Sequence, residues 1–71
     1  MIGAAVRKLR LSQRVTVSQN DLAGRLSAQG VNMDRTAIAR IEHGERYVLD
    51  YEALALARAF KVPIENLYAG M

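Results

Sequence analysis

Arg35, Thr36 and Arg40 are the side chains through which this chain has most chemistry to offer, and all three fall within Asp34-Arg-Thr-Ala-Ile-Ala-Arg-Ile-Glu-His-Gly44. A guanidinium is a planar fork of fixed donors, suited to two acceptors lying side by side. A threonine adds one hydroxyl and one methyl. The stretch has the ends of a short helix. Asp34 suits an N-cap, because its carboxylate accepts from an unpaired N–H of the first turn. Gly44 suits the left-handed position just past the last turn. At helical spacing Ala37, Ile38 and Ile41 form a narrow apolar stripe. Arg35, Thr36, Ala39, Arg40 and His43 form the opposite face, which carries no acid. A face that is basic, small and polar suits a polyanion, and double-stranded DNA is the expected one.

Other elements must hold that helix in place. Ile2, Val6 and Leu9 repeat at helical spacing, with Ala5 between, and predict a first helix from about Ile2 to Leu11. Ser12 to Thr16 reads as a connection. Ser18 with Asp21 three residues on is a capping box, and Val17 with Leu22 has the spacing of a hydrophobic staple across it. The second helix, with Leu22, Ala23 and Leu26 inward, is expected to reach Ala28 or Gln29. Gly30 ends it, and Val31 and Met33 in the following link are expected to tuck into the core. Asp50 is the expected cap of a fourth helix reaching Phe60, with Ala53, Leu56, Ala57 and Phe60 inward. Pro63 opens a last short helix over Ile64 to Tyr68. The prediction is an all-α fold, five short helices in one domain over residues 1–71.

Composition narrows the function. A chain of 71 residues without cysteine has no disulfide and no thiolate metal site, and its single histidine argues against a protein-built metal cage. No metal and no cofactor is expected. Stability must come from packing, which a 51% hydrophobic content can supply. No apolar run approaches the roughly 18 residues that span a bilayer, so a soluble, cytoplasmic protein is expected, with no membrane partner. The net charge of +3 is unevenly spread. Residues 1–46 hold eight bases and four acids, whereas residues 47–71 hold two bases and three acids. The basic half is the half that carries Arg35 and Arg40, as phosphate neutralisation would require. No serine or cysteine nucleophile pairs with His43, and no glycine loop cradles a phosphate, so catalytic residues are not expected and the chain reads as a non-enzyme.

Ile2…Val6-Arg-Lys-Leu-Arg10, Ser18-Gln-Asn-Asp-Leu-Ala23, Ile38-Ala-Arg-Ile-Glu-His-Gly44, Leu56-Ala-Arg-Ala-Phe60 and Val62-Pro-Ile-Glu-Asn-Leu67 follow in an order that resembles the lambda-repressor-like helix-turn-helix family of phage repressors, Cro proteins and bacterial regulators. The resemblance covers almost the whole chain. It implies a helix-turn-helix at helices two and three, with Arg35, Thr36 and Arg40 at positions that reach base edges in the major groove. Gln19 matches a position that bonds DNA phosphate, and Arg46 a basic position that touches the backbone. Arg10 and Glu42 match a pair that bridges the first and third helices. Arg14 reads as a further, unspecific phosphate neutraliser, and Arg7 and Lys8 as a solvated face. The resemblance further implies a homodimer on an inverted repeat. The link between Leu26 and Ile38 is longer here than the family usually has, and this bears on how the third helix is aimed.

The expected function is therefore a sequence-specific transcriptional regulator, of the repressor kind, acting without a small-molecule ligand. The alternative is a protein-interaction or antitoxin-like adaptor on the same fold, its basic face against an acidic protein. RNA ranks third, since the basic face has no aromatic ring on which a base would stack. Tyr47 and Tyr51 are expected to pack over the third connection, with a contact at the edge of the DNA or of a partner as the alternative. Ile64, Leu67 and Tyr68 are expected to close the core, with a dimer patch as the alternative use of that end.

Overall fold

The computed structural model describes residues 2–68. Met1 and residues 69–71, which the expected domain also includes, lie outside the described residues. Five helices follow in order: α1 (Ile2–Ser12), α2 (Gln19–Ser27), α3 (Arg35–Glu42), α4 (Asp50–Phe60) and α5 (Glu65–Tyr68). No strand occurs among the described residues, and the fold is all-α, as the periodicity implies. No helix is long and apolar enough to cross a membrane.

The first three helices begin and end largely where the local chemistry directs. Ser18 and Asp21 form the capping box of α2, Ser18 Oγ accepting from Asp21 N–H at 3.0 Å and Asp21 Oδ2 from Ser18 N–H at 3.2 Å. Asp34 Oδ1 accepts from Ala37 N–H at 2.8 Å and caps α3. Gly30 and Gly44 take positive φ just past α2 and α3. In each case the next residue bonds back across the turn, Val31 N–H to Leu26 O and Glu45 N–H to Arg40 O. This arrangement satisfies carbonyls that a helix end leaves unpaired. α4 closes in the same way, Val62 N–H to Ala57 O, with Lys61 in the left-handed position.

Some boundaries differ from the expectation. α2 stops at Ser27, so its long link to α3 is loop rather than extra helix. Val31 and Met33 anchor that loop in the core, as expected. The cap of α4 is Leu49, one residue before Asp50. Leucine has no acceptor for the first turn; instead Glu52 reaches back to accept from Leu49 N–H at 3.0 Å. α5 begins at Glu65, one residue later than expected.

The core lies where α1 and α2 pack on the inner side of α3 and are in turn covered by α4 and α5. Val6, Leu22, Leu26, Ile38, Ile41, Leu56 and Leu67 are its largest fully buried side chains. Each such burial stabilises the fold by about 1.5–3 kcal/mol. α3, with only eight residues, is too short to stand alone in water and owes its shape to α1 and α2, which pack on it.

Candidate nucleic-acid interface

α3 divides as its sequence directs. Ile38 and Ile41 are buried and Ala37 is half-buried, while Arg35, Thr36, Arg40 and His43 are exposed and Ala39 is half-exposed. The side chains of Arg35, Thr36 and Arg40 make no hydrogen bond or ion pair among the described residues. Both guanidinium groups are therefore free to bind something outside the chain. Arg14, in the connection between α1 and α2, is likewise exposed and without an intramolecular bond among the described residues.

Behind α3 stands a bridge that the resemblance implied. Arg10 Nε donates to Glu42 Oε2 at 2.9 Å and Arg10 Nη2 to Glu42 Oε1 at 3.0 Å. Arg10 Nη1 also donates to Val17 O at 3.1 Å. One side chain thus ties α1 to the end of α3 and to the entry of α2. The Glu42 carboxylate raises the affinity of the Arg10 guanidinium for its proton, chiefly through their hydrogen bond and against the effect of burial.

Gln19 joins the same group. Its Nε2 donates to Glu42 Oε1 at 3.2 Å, and the side chain is half-buried. The amide is therefore held by Glu42 rather than standing free at the surface. A second amide hydrogen remains to it.

Arg46 has a different setting from a free phosphate contact. Its Nη1 and Nη2 donate to Glu52 Oε1 and Oε2 at 3.0 and 2.8 Å, and Nη1 also donates to Tyr47 O at 3.1 Å. The guanidinium side chain is 33% exposed, whereas Glu52 is 3% exposed. The pair locks the α3–α4 loop onto the start of α4. Glu52 holds its proton less tightly than an ordinary carboxyl, first because of the Arg46 hydrogen bonds and also through Leu49 N–H. Sequence reading missed Glu52 by one residue. With Asp50 taken as the cap, Glu52 falls among ordinary first-turn acids; with Leu49 as the cap, it is the residue that caps in reverse.

Gly3 was also missed. α1 crosses the end of α3 so closely that a Cβ at this position would overlap the Ile41 carbonyl oxygen. The signal lay in its place: Gly3 interrupts a helical pattern on the same side as Val6. Tyr47 and Tyr51, expected to pack over the connection, are instead 95% and 60% exposed. The Arg46–Glu52 pair and the Glu52–Leu49 bond hold that loop without help from either ring. Leu67 is fully buried and Ile64 half-buried, so that end closes the core and leaves Tyr68 as its exposed apolar group.

Among the described residues no group of three or more His, Cys, Asp or Glu side chains is placed to hold a metal ion. No protein-family model, no curated protein and no solved structure matches the chain.

Proposed function

We propose that the protein is a sequence-specific regulator of transcription that binds double-stranded DNA, of the lambda-repressor-like helix-turn-helix type, with α3 entering the major groove. The observation that carries this reading is the outward face of α3, on which Arg35, Thr36 and Arg40 are exposed and unpartnered among the described residues. That face belongs to a helix anchored by Asp34 at one end and by the Arg10–Glu42 pair at the other. Free forks on a rigid rod suit base edges, because each bidentate arginine–guanine pair discriminates by about 1–3 kcal/mol. Thr36 offers a hydroxyl to an edge or a methyl to thymine. Arg14 neutralises phosphate, and Gln19 donates its remaining amide hydrogen to the backbone, oriented by Glu42. Arg46 acts mainly by fixing the loop that follows the reader, its charge largely answered by Glu52. A module this small gains affinity by binding as a pair over two half-sites about 34 Å apart, which makes an inverted repeat the expected operator.

Selection of bound duplexes from a random pool tests the proposal, and returns site, symmetry and spacing together. An enriched motif is expected, and Arg40→Ala should relax preference at one or two positions of it. Failure to enrich any motif, with duplex retention unaffected by salt, would refute DNA reading and leave an acidic protein as the partner of the basic face.

A further inference from the structure

Seven large apolar side chains are exposed among the described residues, and four of them, Tyr47, Leu49, Tyr51 and Leu54, crowd into the start of α4 and the loop before it. Such crowding is unlike the scattered exposure that is ordinary on a monomer. α4 is buried around most of its circumference and leaves one outward stripe: Asp50, Tyr51, Leu54 and Arg58, with Lys61 just beyond.

The charges on this stripe are symmetrically placed. Leu54, 42% exposed, is its midpoint. Asp50 stands four residues before it and Arg58 four residues after. Neither side chain has a hydrogen bond or ion pair among the described residues. They cannot pair with each other, since eight residues separate them by about 12 Å along the helix axis. Laid antiparallel against a second copy, with the two-fold axis at Leu54, the stripe brings Asp50 level with Arg58 of the other chain, and does so twice. The stripe is therefore complementary to itself, as an isologous contact must be.

We propose that α4 is a self-association surface, on which two copies of this chain pair antiparallel through Tyr51 and Leu54 with reciprocal Asp50–Arg58 ion pairs. The end of the chain that otherwise suggested a subunit contact has Leu67 committed to the core. One helix pair covers less than the roughly 1,200 Å² at which stable interfaces begin, so the dimer is weak. It uses no residue of α3 and stands or falls independently of DNA binding.

Sedimentation equilibrium without DNA, at low salt and from about 10 μM to 1 mM protein, tests the pairing over the range a weak contact requires. Self-association is expected for the parent chain. Asp50→Lys and Arg58→Glu should each weaken it about tenfold, since each turns two attractions into two repulsions. The double variant should return to within about threefold of the parent, because opposite charges again face each other. Leu54→Glu, at the axis, should abolish association, with thermal melting of every variant confirming a folded chain. A parent that stays monomeric to 1 mM overturns the proposal. So does association indifferent to both single changes, or a double variant no better than the weaker single one.

Discussion

Arg46 and Glu52 show how much a single partner changes what a charged residue can do. A free surface arginine neutralises a phosphate and steepens the salt dependence of DNA binding by about 0.9. With its fork on Glu52, Arg46 has little net charge left to give. On the DNA reading, Arg14→Ala should flatten the salt slope by nearly one, and Arg46→Ala by distinctly less; equal effects in filter-binding assays would contradict this. The pair also bears on stability. Glu52 is buried, so Arg46→Ala leaves its carboxylate with Leu49 N–H alone. The expected cost is about 1–2 kcal/mol, below that of a fully buried pair because Arg46 is partly in water. Since Glu52 binds its proton less tightly when folded than when unfolded, the unfolded chain takes up more protons in acid. This contribution is whole above the ordinary carboxyl value of about 4.3 and is lost as pH falls through the lower folded value. Glu52→Gln should therefore be less stable than the parent at pH 7, with the gap closing toward pH 2. Urea titrations across that range decide it; a constant gap would mean that the carboxylate charge is not what matters.

At the scale of the element, two glycines within helices have opposite meanings. Gly24 faces open space, with nothing near where a Cβ would stand. Gly24→Ala should stabilise by about 0.5–1 kcal/mol, through helix propensity alone. Gly3 lies against the backbone of α3, which cannot yield as a flexible side chain would. Gly3→Ala should push α1 off α3 and cost about 2 kcal/mol or more. Thermal melts of the two variants should move in opposite directions; a shift of the same sign in both would mean that close approach does not govern Gly3. Helix propensity treats the two residues alike, as poor helix formers, and periodicity adds only that Gly3 lies on the side of Val6 whereas Gly24 lies away from Leu22 and Leu26. What separates them is the neighbour across the gap.

At the scale of the whole molecule, Arg10, Glu42 and Gln19 bind three helices at one point. The two charges are mostly buried, and a domain of this size has only about 4–10 kcal/mol of net stability. Arg10→Met alone strands the Glu42 carboxylate and should cost about 3 kcal/mol. Arg10→Met with Glu42→Met removes both charges and should cost less than that single change. Denaturant unfolding of the single and double variants checks the order, and a double variant worse than the single would mean that the bridge itself stabilises the domain.

Local chemistry alone determined the number and type of helices, the Ser18–Asp21 and Asp34 caps, the glycine-closed ends and the inward side of the first three helices, though not the burial of Glu52, Ala55 and Ala59 on α4. Those features depend on residues within four or five positions of one another, and a linear pattern records such distances. The Arg10–Glu42 pairing was legible only through the resemblance, because nothing local relates residues 32 apart in the chain. Tertiary structure decided the rest: the reverse cap and ion pair of Glu52, the exposure of Tyr47 and Tyr51, and the crossing at Gly3. Each of these depends on which surface meets which, and that is settled only when whole helices pack and compete for the same space.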